Sequence, residues 1–275
     1  MVRTNMTATR VKPAAARLLT MQVLRRTRLS PTFMRVTVGG HEVERFAPMG
    51  FDQWFRLFLP VGEDSLARLP SKLDTLSYLK YLAIAKTERP LLRNYTVSGF
   101  RADGADGAEL DIDFVLHGGD AAGAAGPAAA WAQTCAPGDA IGVLDEGVAF
   151  NPPTECADRV MLVADESALP AAAGILAALP RHVHGHAVLE VADAADQRDL
   201  DAPDDVEVQW IVRTDAHATP GQAARAAAST LPVPDSTYCW AAGEQALAVG
   251  LRRHWVHTGV PKGHISFTGY WRAHA

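Results

Sequence analysis

The sequence predicts a protein of two domains, a closed antiparallel β-barrel followed by an α/β domain built on a parallel sheet. Short strands separated by turn-forming residues fill the first half of the chain, whereas strands alternate with helices in the second half. Between the halves, Asn151-Pro152-Pro153-Thr154 is typical of a linker. A chain of 275 residues has room for two domains of ordinary size.

The first half contains six segments that are short, rich in β-branched and aromatic residues, and bounded by turns. The segment from Asp64 to Lys86 mixes helical spacing with Pro70, so we expect an irregular excursion there. One short helix is predicted from Gly126-Pro127 to about Cys135. Several short strands with one small helix indicate a barrel. The predicted strands are Leu18–Thr27, Met34–Gly39, Gln53–Leu59, Leu92–Phe100, Leu110–His117 and Ala140–Leu144.

The second half alternates apolar strands with helical segments, which is typical of βαβ units and a parallel sheet. Strands are predicted at Arg159–Ala164, Ala187–Val191, Val206–Val212, Thr237–Ala241 and Ile265–Tyr270, and helices at Ser167–Leu179, 220–229 and Glu244–His257.

Composition excludes several classes of protein. The net charge is −5 and the pI is about 6.0, so overall charge does not favour nucleic-acid binding. The most apolar stretch, Ala168 to Leu179, is too short for a membrane helix, and the chain does not start with the apolar core of a secretory signal. Three cysteines at long spacings fit a reducing cytoplasm better than a disulfide framework or an iron–sulfur site. We expect a cytoplasmic monomer that binds neither nucleic acid nor membranes.

Charge is unevenly distributed along the chain. Residues 1–35 contain no acidic residue, and residues 193–207 are strongly acidic. A solvated tail and a solvated loop explain both segments, and a basic mouth for an anionic ligand is the alternative. We expect a flexible basic N-terminus at 1–16, the barrel at 17–150 and the α/β domain at 155–275.

The first candidate site is the strand segment Arg93-Asn94-Tyr95-Thr96. Alternation places Arg93 and Tyr95 on one face of the strand. An arginine fork suits a phosphate, an aromatic plane suits stacking on a ring, and a hydroxyl suits a ring heteroatom. The pattern therefore suits a phosphorylated ring cofactor, although an ordinary barrel strand explains the four residues alone at least as well.

The second candidate site is the helix start Gly126-Pro127-Ala128-Ala129-Ala130-Trp131. Proline in the first turn and small side chains leave backbone N–H groups open to a phosphate. The preceding strand, Asp111 to His117, could line an adenine or ribityl site at its end. A packed helix start and a core histidine are the alternative interpretations.

A set of motifs occurs in a fixed order along nearly the whole chain, from about Arg17 to Arg272. The motifs are LSPTFMRVTVGG, FDQWFRLFLP, RNYTV, DIDFVLHGGD, GPAAAWA, PGD, VADESALPAAAGIL, WAAGEQALAVGLRRHW and GYWR. In this order they resemble the siderophore-interacting protein family, a branch of the ferredoxin–NADP reductase-like flavoproteins. The resemblance implies a six-stranded antiparallel flavin-binding β-barrel, a C-terminal parallel-sheet α/β domain of the nucleotide-binding kind, bound FAD, and reduction of ferric siderophores in the cytoplasm.

The resemblance also implies roles for individual residues. Arg93 would pair with the FAD pyrophosphate, Tyr95 would lie against the flavin and ribityl chain, and the Thr96 hydroxyl would lie near flavin N5. Tyr95 and Thr96 are therefore the candidate catalytic residues. Further cofactor contacts are implied for Phe114, Val115 and His117 at the strand end, and for Gly126, Pro127, Ala128 and Trp131 at the pyrophosphate.

The site for the electron donor is less regular. No GxGxxG follows the strand at 159–164; Asp165-Glu166-Ser167 stands there, where Ser167 could cap the helix but two carboxylates would repel a pyrophosphate. The resemblance implies that this loop is normal for the family, so NADPH or NADH remains the expected donor. Arg213, after the third strand, could pair with a 2′-phosphate or be an ordinary surface arginine. Glu244, at a strand end, is expected to face the flavin edge.

For the substrate, Lys262 and Arg272, together with Arg252 and Arg253, could form a basic rim for an anionic ferric chelate; surface salt bridging is the alternative. No resident metal is expected, because the alternating His182, His184 and His186 are too spread out along a strand to share one ion.

Together these expectations describe a cytoplasmic FAD-dependent reductase that takes a hydride from NAD(P)H, reduces Fe(III) in a siderophore and releases the iron. One alternative is the same flavoprotein driven by reduced ferredoxin. Others are a non-enzymatic module that binds flavin or siderophore and a general flavin reductase.

Overall fold

The computed structural model describes residues 4–14, 16–62, 65–70, 75–116, 126–215 and 217–273, which form two compact units. The barrel unit consists of the described residues of Lys12–Met49 and Gln53–Gly147. The α/β unit consists of those of Met1–Val11, Gly50–Asp52 and Val148–Ala275. No helix in these ranges is long and apolar enough to cross a membrane.

The described residues form twelve strands and six α-helices. The strands are β1 Leu18–Arg28, β2 Phe33–Gly39, β3 Trp54–Leu59, β4 Leu91–Thr96, β5 Gly99–Gly104, β6 Gly107–Val115, β7 Ala140–Gly147, β8 Arg159–Ala164, β9 His184–Val191, β10 Val206–Val212, β11 Tyr238–Glu244 and β12 Ile265–Trp271. The helices are α1 Met6–Thr9, α2 Thr75–Ala83, α3 Pro127–Thr134, α4 Leu169–Ala178, α5 Gln222–Ala228 and α6 Gln245–His257.

The barrel unit is one antiparallel sheet in the order β4-β3-β7-β1-β2-β6-β5. Strands β4 and β5 are two halves of one extended run that bends at Val97 and Ser98. The Val97 N–H donates to the Gln53 carbonyl beside β3 (2.9 Å), and the Ser98 N–H donates to the Asp111 carbonyl on β6 (2.9 Å). The run therefore leaves β3 and joins β6, which connects the two ends of the sheet. This confirms the predicted antiparallel barrel. The sequence predicted six strands because β4 and β5 were expected as one strand, Leu92–Phe100, whereas the structure has seven.

Alternation along the barrel strands creates the core. Met21, Val36, Phe55, Ile112 and other inward side chains are fully buried in one cluster. On the other face of the sheet, α2 packs through Tyr81 against Phe58 and Leu144. The expected excursion at 64–86 contains this helix and a short 3₁₀ turn, Leu66–Arg68; residues 63, 64 and 71–74 lie outside the described ranges.

The α/β unit contains a five-stranded sheet in the order β10-β9-β8-β11-β12, with every strand pair parallel. This confirms the predicted parallel sheet. Strand β9 starts at His184, three residues before the predicted start, and Gly185 lets it pair closely with β8. A Cβ atom on Gly185 would lie 1.9 Å from the Val160 carbonyl oxygen, and the residue has φ +144°.

The N-terminal segment differs from the flexible tail that the sequence predicts at residues 1–16. Asn5 pairs with β12, the edge strand of the parallel sheet: its N–H donates to the Phe267 carbonyl (3.2 Å), and the Phe267 N–H donates to its Oδ1 (2.9 Å). Its Nδ2 also donates to the Ile265 carbonyl (2.6 Å). Asn5 is held here because the edge strand offers backbone groups that need partners.

Candidate functional site

Three aromatic side chains from separate motifs meet in the barrel unit. Tyr95, near the end of β4, lies with its ring centroid 4.4 Å from that of Phe114, near the end of β6. Phe114 in turn lies 5.7 Å from Trp131 on α3. Phe114 is fully buried, while Tyr95 and Trp131 are half-buried and pack against the barrel core. The structure thus brings the two candidate sites of the barrel together.

Arg93 and Thr96 flank Tyr95 on β4 and differ in exposure. Arg93 is exposed, and its Nη1 donates to the Leu92 carbonyl (2.7 Å), which leaves other guanidinium N–H groups for a ligand. Thr96 is buried and pairs with Trp54 on β3. Burial raises the pKa of the Tyr95 phenol well above its usual range. Tyr95 therefore stays protonated at neutral pH and presents an uncharged ring.

The start of α3 is open to an anion. Its N-cap is Gly126, which has no side chain to cap the helix, Pro127 follows at the first position, and the first turn contains no acidic residue. Ala128 and Ala129 behind it are buried. The N–H groups of the first turn and the helix dipole therefore favour a phosphate at this end. Val115 is half-buried at the end of β6, and His117 lies outside the described residues.

These side chains fit FAD. An exposed arginine fork and an open helix N-terminus suit a pyrophosphate, and a neutral, half-buried tyrosine suits a flavin ring. Such a group would be held by residues from β4, β6 and α3, which the aromatic cluster of Tyr95, Phe114 and Trp131 keeps together.

In the α/β unit, Asp165 follows β8 and is 1% exposed. Its Oδ1 accepts hydrogen bonds from the Ser167 N–H (2.9 Å) and hydroxyl (2.5 Å), and its Oδ2 accepts one from the Glu244 N–H (2.5 Å). Ser167 was expected to cap the helix, but α4 has no side-chain cap, and Asp165 caps the 3₁₀ turn that precedes it. Burial, reinforced by the neighbouring Glu166, raises the pKa of Asp165 to about 7. Gly243 makes room for this carboxyl, since a Cβ there would lie 2.5 Å from its Oδ2.

Arg213 is neither a surface arginine nor free for a 2′-phosphate, which corrects both interpretations of the sequence. Its side chain is 10% exposed. Nη1 donates to Glu166 Oε2 (3.0 Å) and Glu190 Oε1 (2.9 Å), and Nη2 donates to Glu166 Oε1 (2.7 Å). Both glutamates are buried. Their carboxylates hold the guanidinium in the interior because a buried charge needs a paired opposite charge.

Glu190 is the residue of this cluster that sequence reasoning missed. Besides Arg213, it binds the start of α5 by accepting from the Gly221 N–H (2.9 Å) and the Ala224 N–H (2.9 Å). A single acidic residue inside the apolar, buried second half of β9 was the available signal, because glutamate is rarely buried without a partner.

Glu244 caps the next helix. Its Oε2 accepts from the Ala246 N–H at the start of α6, and its Oε1 accepts from the Ala273 N–H (3.1 Å). The carboxylate is buried and its contacts all lie within the α/β unit. Glu244 thus joins the end of β11 to the end of the chain's described part.

The expected basic rim does not form as one patch. Lys262 lies just before β12 and Arg272 just after it. The seven residues of β12 rise about 3.3 Å each, so roughly 20 Å separates the two side chains along the strand. Arg252 packs over the Phe267 ring, 5.0 Å from its centroid, while Arg253 is exposed on α6. Strand β12 thus keeps Lys262 and Arg272 apart, and the sequence alone did not indicate this distance.

Comparison with known proteins connects both units with one family. The family described as "Siderophore-interacting FAD-binding domain" matches residues 22–150, and "Siderophore-interacting protein" matches residues 157–274. The ferric vibriobactin reductase ViuB of Vibrio cholerae is 30% identical over 236 residues, covering 85% of this chain and 81% of that protein. The NADPH-dependent ferric-chelate reductase of Escherichia coli is 28% identical over 92% of each chain.

Among solved structures, a siderophore utilization protein from T. fusca superimposes with a TM-score of 0.74 and is 29% identical, covering 100% of this chain and 97% of that one. The antiparallel sheet of the barrel unit and the parallel α/β sheet of the second unit have the fold of ferredoxin–NADP reductase-like proteins.

Proposed function

We propose that Arg93, Tyr95, Thr96 and the start of α3 form the flavin site of this chain. The chain belongs to the siderophore-interacting protein family and acts as an FAD-dependent reductase of ferric siderophores. The observation that supports this placement best is the contact chain Tyr95–Phe114–Trp131, which unites three motifs separated in sequence. An ordinary barrel strand would not need an exposed arginine and an uncapped helix beside it.

When bound, FAD supplies the redox chemistry, accepting a hydride and delivering electrons one at a time. The chain's own residues bind and orient it. Arg93 would donate charge-assisted hydrogen bonds to the pyrophosphate, and the N–H groups at the start of α3 would bind the same anion. Tyr95 would offer a neutral face for stacking, and its contact with Phe114 fixes its ring plane. The Thr96 hydroxyl would supply a hydrogen-bonding group to the flavin.

The substrate is an iron chelate, and reduction releases the metal because hard oxygen ligands hold Fe(II) less firmly than Fe(III). The reaction needs no acid–base triad, since positioning and electrostatics are the protein's contribution. We place it in the cytoplasm, which is supported by three cysteines that are buried and unpaired.

NADPH or NADH is the donor that we propose, with reduced ferredoxin as the rival. The test is an anaerobic visible absorbance spectrum of the purified, FAD-loaded protein. The expected result is that NAD(P)H bleaches the flavin bands and that a ferric siderophore restores them over many turnovers. If only reduced ferredoxin bleaches the bands, the proposal that NAD(P)H is the donor is wrong, but the proposal that the protein is a reductase is still supported.

Other outcomes would contradict the reductase activity or the flavin site. Release of no more than one equivalent of Fe(II) would indicate a binding module, and faster turnover of free flavin than of chelate would indicate a general flavin reductase. Failure to bind FAD would remove the proposed site altogether.

A further inference from the structure

In the α/β unit, the segments that follow β8, β10 and β11 each begin against a buried carboxylate of the chain itself. Asp165 accepts from the Ser167 N–H in the turn that leads into α4. Glu190 accepts from two N–H groups at the start of α5, and Glu244 from one at the start of α6. These backbone donors are the groups that dinucleotide-binding folds offer to a pyrophosphate.

The same edge of the sheet offers no free arginine fork at the end of β10. Arg213 stands where a cation could select the 2′-phosphate of NADPH, but three hydrogen bonds to Glu166 and Glu190 occupy it. One positive charge faces two negative ones, so the Glu166–Arg213–Glu190 cluster has a net negative formal charge. A phosphate placed there would find no available guanidinium group, and the net negative charge of the cluster would repel it.

The end of β9 carries a group that suits the other nicotinamide cofactor. Asp193 is exposed two residues beyond the strand, and its carboxylate accepts hydrogen bonds from the Ala195 N–H (2.8 Å) and the Asp196 N–H in a capping box. In dinucleotide-binding folds, an acidic side chain after the second strand binds the ribose hydroxyls of NAD and disfavours a 2′-phosphate. Asp193 follows the second strand of this sheet.

We propose that the Glu166–Arg213–Glu190 cluster abolishes selection for the 2′-phosphate, so that this chain uses NADH at least as well as NADPH. The inference rests on the proposed function, because it concerns the donor of the same reductase. Glu166 and Glu190 are specificity-determining residues that act through Arg213, and neither needs to touch the cofactor.

The test is direct binding of two fragments to the FAD-loaded protein, measured by titration calorimetry. Adenosine 2′,5′-bisphosphate carries the phosphate that marks NADPH, and 5′-AMP lacks it. We expect the wild-type dissociation constants to agree within about threefold, since no charge-assisted contact to the extra phosphate is available. The ratio of kcat/KM for NADH to that for NADPH should be 1 or greater.

Glu166→Gln should free part of the guanidinium and tighten binding of the bisphosphate about tenfold relative to 5′-AMP. Glu207→Gln is the matched control, because it removes one negative charge from an exposed side chain of β10 without touching Arg213. The control should keep the wild-type ratio. Thermal unfolding of both variants checks that they are folded. The comparison of the two fragments on the wild-type protein tests the inference even if neither variant folds.

Two results would overturn the inference. One is wild-type protein that prefers the bisphosphate tenfold or more and loses that preference in Arg213→Lys. The other is that neither fragment binds. The α/β unit would then have no adenosine site, and the cluster could not determine which nicotinamide cofactor is used. Equal fragment binding without any iron reduction would instead contradict the proposed function, and only the absence of selection for the 2′-phosphate would remain supported.

Discussion

The two units treat the same structural element in opposite ways. In the barrel unit, α3 begins with Gly126 and Pro127, without a capping side chain or an acidic residue in its first turn. In the α/β unit, Glu190 and Glu244 already occupy the starts of α5 and α6, and Asp165 caps the 3₁₀ turn that leads into α4. A helix N-terminus is therefore not a phosphate site by itself. It becomes one when the chain leaves its donors without a partner.

The largest effect is expected from removing a carboxylate that the α/β unit uses internally. Glu190→Ala leaves two N–H groups of α5 without an acceptor and takes one partner from the buried Arg213. We expect the free energy of unfolding to fall by about 3–5 kcal/mol, as when a buried ion pair is broken. Urea denaturation measures it. The control, Glu207→Ala, alters a side chain that is 76% exposed and should change stability by under about 0.5 kcal/mol; equal losses in both would contradict the buried network.

Buried carboxylates of the two units should respond to pH with opposite signs. Hydrogen bonds from Arg25 and Arg101 lower the pKa of Glu109 in the barrel to about 2, so the stability it contributes is lost as pH falls from about 4.5 to 2. Burial raises the pKa of Asp165 to about 7, so its contribution is complete below about 3.8 and is lost as pH rises through 7.

Urea midpoints between pH 3 and 8 separate the two contributions, at about 1.4 kcal/mol for each unit of pKa difference. Glu109→Gln should flatten the acid side of the profile, and Asp165→Asn the side from pH 4 to 7. An Asp165→Asn profile that keeps its slope in that window would show that the carboxyl is ionised throughout.

The flavin site in the barrel predicts a binding effect of intermediate size. Arg93→Ala should raise the dissociation constant of FAD roughly 10- to 100-fold, the range for one charge-assisted hydrogen-bonding group. Flavin fluorescence on dilution measures it. Arg45→Ala is the matched control, since Arg45 is an exposed arginine of the same unit that pairs with Glu42. Unchanged FAD affinity in Arg93→Ala would remove the arginine from the site.

The same contrast explains how far sequence reasoning could reach. Strand alternation, turn residues and the open helix at Gly126-Pro127 are local patterns, and they predicted both sheets and the barrel's candidate residues. The role of Arg213 depended on Glu166, 47 residues away, and the ordering of Asn5 on Phe267, 262 residues away. Pairings at such separations are set by strand order, which local spacing does not contain. Ser167 was mistaken for the cap, whereas its N–H and its hydroxyl both donate to Asp165.

The smallest effect is also the most direct test of the contrast, since it gives α3 the carboxylate that α5 and α6 already have. Gly126 has φ −59° and ψ 154°, an N-cap conformation open to any residue, and a Cβ atom there would meet nothing within 4 Å among the described residues. Gly126→Asp should therefore stabilise the FAD-free protein by about 0.3 kcal/mol through the new cap. It should also weaken FAD binding several-fold, because the carboxylate takes the N–H groups and repels the pyrophosphate. Gly126→Ala, which adds a Cβ atom without a cap, separates the effect of charge from that of bulk. If Gly126→Asp binds FAD as tightly as Gly126→Ala, the start of α3 does not hold the pyrophosphate, and the two units do not differ in the way proposed.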